Sequence, residues 1–119
     1  MLINMNEIEK IRTECLAQLK KLEREINSST VQLFWEDKKR NPEKVKKFFI
    51  ERRAIVASRA KLENAILARI ARSLSELEDD LKEGCKNLQT QIDKLDNEIA
   101  FLNVISRVSG ILAKILLIV

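Results

Sequence analysis

The chain has 119 residues, of which 45% are hydrophobic and 34% are charged, and its formal net charge is +4. It contains two Gly, one Pro and no Tyr, which excludes most β architectures because these need frequent turn residues. Chains dominated by Leu, Ile, Ala, Glu, Lys and Arg at helical spacing form long helices. We therefore predict an all-α protein with a single helical domain over residues 1–119.

The first predicted helix runs from about residue 5 to about residue 40. Either Asn4 or Asn6 can cap its start, and apolar residues then recur at steps of three and four. The run Ser28–Thr30 interrupts this stripe, and such residues weaken or bend a helix by bonding to nearby backbone. Because the stripe resumes in phase, we predict one helix that is softened at its middle.

The second predicted helix starts at Pro42 and runs to about residue 83. Proline is excluded from helix interiors but favoured at the first position, and Asn41 before it is a good cap. The chain therefore turns between the first two helices. We expect Trp35, just before this turn, to be buried against it rather than exposed to a partner.

The end of the second helix is assigned to Gly84, because glycine commonly follows the last turn of a helix. The third helix then covers about residues 86–118. Two alternatives stay open. The run that starts at Ser75 fits a capping box and allows an earlier break. One very long helix through Gly84 is also possible, and it would force dimerisation.

The longest apolar pattern of the chain lies between residues 66 and 102. Its members are spaced by threes and fours, which keeps one seam of a helix facing a partner helix. The seam passes Gly84 without losing phase, which favours a continuous helix there. Its members are Ile66, Ile70, Leu74, Leu77, Leu81, Cys85, Leu88, Ile92, Leu95, Ile99 and Leu102.

These elements predict an elongated antiparallel three-helix bundle or coiled coil built from long helices. Three helices of similar length can pack side by side when short turns join them. The alternative is a very long helical hairpin that assembles as a dimer.

The last segment, residues 101–119, is more apolar than one helix of a three-helix bundle needs. It is too short and too often interrupted by polar residues for a transmembrane helix, which needs about 20 apolar residues. We expect its apolar face to bind a partner or a second copy of the chain. The residues predicted to form this interaction surface are Phe101, Leu102, Ile105, Val108, Ile111, Leu112, Ile115 and Ile118.

Charge is distributed unevenly along the chain. From Lys38 to Arg72 there are twelve Lys or Arg and three Glu, whereas from Glu76 to Glu98 there are eight acidic residues and three Lys. A dense basic stretch attracts phosphate groups of lipid or nucleic acid. The alternative is that these cations pair with acidic residues of neighbouring helices. The candidate anion contacts are Lys44, Lys46, Lys47, Arg52 and Arg53.

Residue types that carry common catalytic chemistry are scarce. The chain has no His, which supplies most general bases, and two Cys alone give half the ligands of a structural zinc site. Its two Gly cannot build a glycine-rich phosphate loop. We expect no enzymatic activity and no cofactor. A face with Glu76, Asp79, Asp80 and Glu83 could hold a hard cation, but a solvated acidic face is favoured.

The sequence thus favours a noncatalytic helical interaction or self-assembly module, whose partner is itself or another helical protein. One alternative is a membrane-associated protein that inserts residues 101–119 and places its basic end on anionic lipid. A nonspecific nucleic-acid binder acting through residues 38–53 is less favoured. No signal peptide is visible, and Cys15 and Cys85 fall on apolar faces, so we expect a cytoplasmic location, with membrane association as an option.

Overall fold

The computed structural model describes residues 4–117, and it confirms an all-α chain over this range. Among the residues it describes, five helices replace the three that were predicted. Their bounds within the described residues are Met5–Ile26 (α1), Ser29–Glu36 (α2), Pro42–Asn64 (α3), Leu67–Lys94 (α4) and Glu98–Ile115 (α5).

Asparagine side chains cap three of these helices. The side-chain oxygen of Asn4 accepts a hydrogen bond from the backbone N–H of Asn6 at 3.0 Å. Asn41 accepts from the N–H of Glu43 at 2.9 Å, with Pro42 at the first position of α3. The predicted starts of the first and second helices are therefore confirmed. A third asparagine, Asn97, caps α5 in the same way.

The predicted first helix is divided in two. α1 ends at Ile26, and Ser28 then has an extended backbone, with its hydroxyl accepting from the N–H of Val31 at 3.4 Å. Ser28 therefore caps a new helix, where the sequence had indicated only a softened one. α2 ends at Glu36, which is four residues earlier than predicted.

The predicted end of the second helix at Gly84 is wrong. α4 passes through Gly84 and through the alternative break near Ser75. Glycine inside a helix costs only about 1 kcal/mol, and the apolar seam on both sides of it keeps the helix buried. Gly84 is itself buried where α4 meets α5.

The actual ends of α4 carry weak sequence signals. At the start, Ile66 has an extended backbone and caps the helix without any side-chain hydrogen bond. At the end, Leu95 takes the left-handed conformation with φ 44°, and its N–H bonds to the carbonyl oxygen of Gln91. Glycine usually occupies such a position. Ile66 and Ile99, just outside the two ends, are mainly exposed although the seam pattern includes them.

The four long helices form a bundle that measures 53 × 26 × 19 Å. α1 and α5 each pack against both α3 and α4, and α2 packs on α1 and α3 at one end. α3 and α4 follow each other in the chain but share few contacts, so they lie across the bundle from each other. The predicted three-helix arrangement is thus replaced by a ring of four long helices.

Contacts near the helix ends give the directions of the helices. The guanidinium of Arg12, near the start of α1, donates to the carbonyl oxygen of Ala65 at 2.7 Å, so α1 and α3 are antiparallel. Ser73 of α4 donates to the carbonyl oxygen of Ile115 at 2.8 Å, so α4 and α5 are antiparallel. Because α4 starts beside the end of α3, α1 and α4 run parallel.

Candidate functional site

The apolar face of residues 101–115 lies inside the bundle. Its first seven predicted members are buried, with exposures between 0% and 8%, against α3 and α4 of the same chain. The eighth, Ile118, lies outside the described residues. The prediction that this face remains open for a partner is therefore wrong for the seven members whose positions are described. They are Phe101, Leu102, Ile105, Val108, Ile111, Leu112 and Ile115.

The extra apolar surface of this segment is explained by its two neighbours. A helix that packs on α3 and α4 together buries a wider arc than a helix at a single seam. The polar residues of α5 fall on the remaining arc, where Asn103, Arg107, Gly110 and Lys114 are exposed.

A cluster of aromatic rings closes the end of the bundle near α2. Trp35 is fully buried, and its indole stacks on the ring of Phe48 with 4.8 Å between centroids and an interplanar angle of 10°. Phe101 of α5 meets both rings edge-on, at 5.6 and 5.7 Å. The expected burial of Trp35 is confirmed. This cluster ties α2, α3 and α5 together.

Two arginines of the basic stretch are held against this aromatic end. The guanidinium carbon of Arg40 lies 3.9 Å above the Phe34 ring, and Arg40 also forms an ion pair with Glu98 at 3.2 Å. Arg52 lies over the ring of Phe49 at 5.0 Å. Cation–π contacts of this kind stabilise the fold. Arg52, a candidate anion contact, is therefore partly engaged within the chain.

The other candidate anion contacts lie on α3. Lys46, Lys47 and Arg53 are exposed, whereas Lys44 is half-buried. None of these four forms an ion pair with any residue in the range 4–117. Their positive charges are consequently available to solvent.

By contrast, cations that face neighbouring helices are paired. Arg59 of α3 donates two hydrogen bonds to the carboxylate of Glu23 of α1, at 2.8 and 3.1 Å, and it also forms an ion pair with Glu63. Lys20 of α1 completes this group by pairing with Glu63. The hydrogen bond from Glu23 raises the pKa of Arg59, and the one from Lys20 lowers the pKa of Glu63. These four residues join α1 to α3.

A second ionic group joins α1 to α4. The Lys82 ammonium donates to Glu14 at 2.8 Å and to Glu78 at 2.7 Å. These bonds raise the pKa of Lys82, and the Lys82 bond lowers the pKa of Glu14. Part of the uneven charge distribution in the sequence therefore serves to join helices of the bundle.

The outer face of α3 is left as the candidate site. Lys46, Ile50, Arg53 and Ala57 are all exposed and follow one another at steps of four, three and four, which places them on one stripe. Ile50 is 53% exposed at the middle of this stripe. We name this set of four residues the α3 stripe. Sequence reasoning found its cations but missed Ile50, although the helical spacing could have shown it.

The two cysteines are free and buried. Burial raises the pKa of Cys15 to about 11 and that of Cys85 to about 12, with the neighbouring Cys15 adding to the second shift. Thiols that remain protonated are poor nucleophiles and poor metal ligands. Both side chains act as apolar core residues.

Among residues 4–117, no three His, Cys, Asp or Glu side chains are grouped so that they could hold a metal ion. In that same part of the chain, no helix has the length and apolar character needed to cross a membrane.

Comparisons with protein-family models, with curated proteins and with solved structures gave no match.

Proposed function

We propose that this protein is a noncatalytic helical interaction module that binds an acidic protein surface through the outer face of α3. The observation that carries this proposal is the contrast between two sets of cations. Arg59, Lys20 and Lys82 are committed to ion pairs that hold the bundle together. Lys46 and Arg53 point outward beside an exposed isoleucine and are open to a partner.

The α3 stripe has the mixed character of a protein contact. Charges steer association and set specificity, while an apolar side chain at the centre adds burial on binding. Ile50 and Ala57 supply the apolar part, and Lys46 and Arg53 supply the charge. An acidic helix with apolar positions at the same spacing would fit this stripe.

Binding through residues 101–119, whether to a protein or to a membrane, loses its main support. Insertion of this segment would have to withdraw Ile105, Val108 and their buried neighbours from the core. The rest of the bundle would then expose its own apolar faces, since α3 and α4 both pack on α5.

Nucleic-acid binding remains the second candidate, because the same cations could contact phosphates. Single-stranded nucleic acid is usually held by bases that stack on exposed aromatic rings. The rings at this end, those of Phe34, Trp35, Phe48, Phe49 and Phe101, are buried or half-buried. Contact with nucleic acid would then be nonspecific.

A reducing, cytoplasmic setting fits the two free cysteines.

An NMR titration of the ¹⁵N-labelled protein tests the proposal. The probes are poly-L-glutamate, duplex DNA, and vesicles of phosphatidylcholine with phosphatidylserine. We expect poly-L-glutamate to shift amide signals of α3 between residues 46 and 57. The variant Lys46→Glu/Arg53→Glu should abolish these shifts.

The matched control is Lys10→Glu/Arg107→Glu, which changes the net charge equally at exposed cations of α1 and α5. It should retain the shifts. Absence of binding to poly-L-glutamate, or binding that the α3 variant does not weaken, would contradict the proposed function. Binding to DNA or vesicles alone would favour the corresponding alternative.

A further inference from the structure

The acidic counterpart of the α3 stripe is present on the same chain. Glu76, Asp79 and Glu83 are exposed at steps of three and four on the outer face of α4, and the exposed Asp80 lies beside them. We name these four residues the α4 patch. One member, Glu76, is paired with Arg72 at 3.7 Å, but both side chains are largely exposed, so this pair is weak.

The two surfaces match in length as well as in charge. Lys46 and Arg53 are seven residues apart, as are Glu76 and Glu83, and seven residues span about 10 Å along a helix. Two helices packed side by side can therefore place both cations opposite both carboxylates. Ile50, midway along the α3 stripe, would face Asp79 and Asp80, so it adds little apolar burial and the contact rests on the ion pairs.

The two surfaces cannot meet within one chain. α3 and α4 lie across the bundle from each other, each packed against α1 and α5, so their outer faces look to opposite sides. A copy that binds a neighbour through α3 therefore keeps its own α4 patch free for another copy. Contacts of this heterologous kind produce open chains rather than closed two-fold dimers.

We propose that the α3 stripe of one copy binds the α4 patch of a second copy, so that copies associate head to tail. This inference rests on the proposed function and names the partner as the protein itself. The contact is mainly ionic and exposed, so its affinity is low and falls steeply with salt.

Sedimentation velocity of the full chain tests this association. At about 0.05 M salt the average mass should rise with protein concentration beyond that of a dimer, and at about 0.5 M salt it should return to that of a monomer. Lys46→Glu/Arg53→Glu and Glu76→Lys/Glu83→Lys should each be monomeric at both salt concentrations. Lys10→Glu/Arg107→Glu should associate as the unmodified chain does.

Mixing the two monomeric variants supplies the sharper test. Two complementary contacts then become available, the reversed α3 of one variant with the reversed α4 of the other and the intact α3 with the intact α4, and we expect a complex to form again. A mixture of Lys46→Glu/Arg53→Glu with Lys10→Glu/Arg107→Glu/Lys46→Glu/Arg53→Glu should form none, because neither variant presents a cationic surface on α3 or α4. Circular dichroism should show that all variants remain helical.

Several results would overturn the inference. They are a monomer at every concentration, a mass that stops at a dimer, association that survives either reversal, or no complex in the mixture of reversed variants. A monomer whose α3 still binds poly-L-glutamate would overturn the self-association alone and leave the proposed function standing. A chain that neither associates nor binds poly-L-glutamate would overturn both.

Discussion

Gly84 of α4 lies directly against Val108 of α5: a Cβ atom added to the glycine would stand 3.2 Å from Cγ2 of the valine. This distance is shorter than an ordinary van der Waals contact, so the glycine sets how closely the two helices approach. Gly110, on the exposed side of α5, is different, since an added Cβ would meet no atom within 4 Å. The two glycines therefore predict different responses to the same substitution.

Gly110→Ala should raise the free energy of unfolding by about 0.5–1 kcal/mol, because alanine favours the helix and nothing opposes its methyl group. Gly84→Ala should gain less or lose stability, because its methyl group crowds Val108. In a Val108→Ala background, Gly84→Ala should recover the gain of about 1 kcal/mol. Urea unfolding measures all four variants. A loss of similar size in both backgrounds would instead indicate a backbone role for Gly84.

The burial of α5 within its own chain leads to a further prediction. Ile105 is fully buried, whereas Ile99, near the start of the same helix α5, is 58% exposed. Ile105→Ala should lower the free energy of unfolding by about 2–5 kcal/mol, and Ile99→Ala should change it by less than about 0.5 kcal/mol. The loss at Ile105 should not depend on protein concentration. A loss that vanishes on dilution would mean that a second copy, not the chain itself, covers this residue.

Sequence periodicity predicted the helical class and most of the core, and the pair Asn41–Pro42 predicted the start of α3. Seven of the eleven seam residues are buried, because spacing by threes and fours specifies one helix face wherever that face is covered. Periodicity could not fix the number of helices. The break at Ala65–Ile66 has no side-chain cap, and the turn at Leu95 places a non-glycine residue in the left-handed region.

The assignment of residues 101–119 to a partner interface failed for a related physical reason. An apolar face in the sequence predicts that this surface is covered in the folded protein, but it does not predict which helix covers it. In a three-helix bundle the apolar face of α5 would be wider than the surface that covers it. Here α5 packs against both α3 and α4, and these two helices together cover the whole face. The sequence could have distinguished the cations that are open to solvent from Arg52, which is engaged within the chain. At helical spacing Lys46 and Arg53 share one stripe, and Arg52 lies outside it.

Trp35 is the only tryptophan, so it reports on the aromatic end without modification. Its indole is fully buried, and its N–H has no hydrogen-bond partner among the described residues. Trp35→Phe therefore loses volume but no hydrogen bond, and it should cost less than half of the roughly 3–5 kcal/mol expected for Trp35→Ala. Urea unfolding compares the two variants. Equal losses would contradict packing of the ring on Phe48 as the source of stability.

Alkaline pH should destabilise the bundle through its two buried thiols. Burial raises the pKa of Cys15 to about 11 and that of Cys85 to about 12, from 9.0 when they are exposed. Above pH 9 the unfolded chain therefore releases thiol protons that the folded chain retains, so the free energy of unfolding falls as pH rises. Pairing with Glu14 and Glu78 raises the pKa of Lys82 above its usual value of 10.5. The stability that this pairing contributes is therefore present below pH 10.5 and is lost only at higher pH.

The interval from pH 9 to pH 10 thus isolates the thiols. Over this interval we expect a loss of about 1 kcal/mol per cysteine, measured by urea unfolding under reducing conditions. Cys15→Ala and Cys85→Ala should each remove about half of the pH dependence, and the double variant should remove nearly all of it. Each variant starts from a lower stability at pH 7, since it leaves a cavity, so the slope with pH is the quantity to compare. A slope unchanged in the double variant would show that other groups cause the loss.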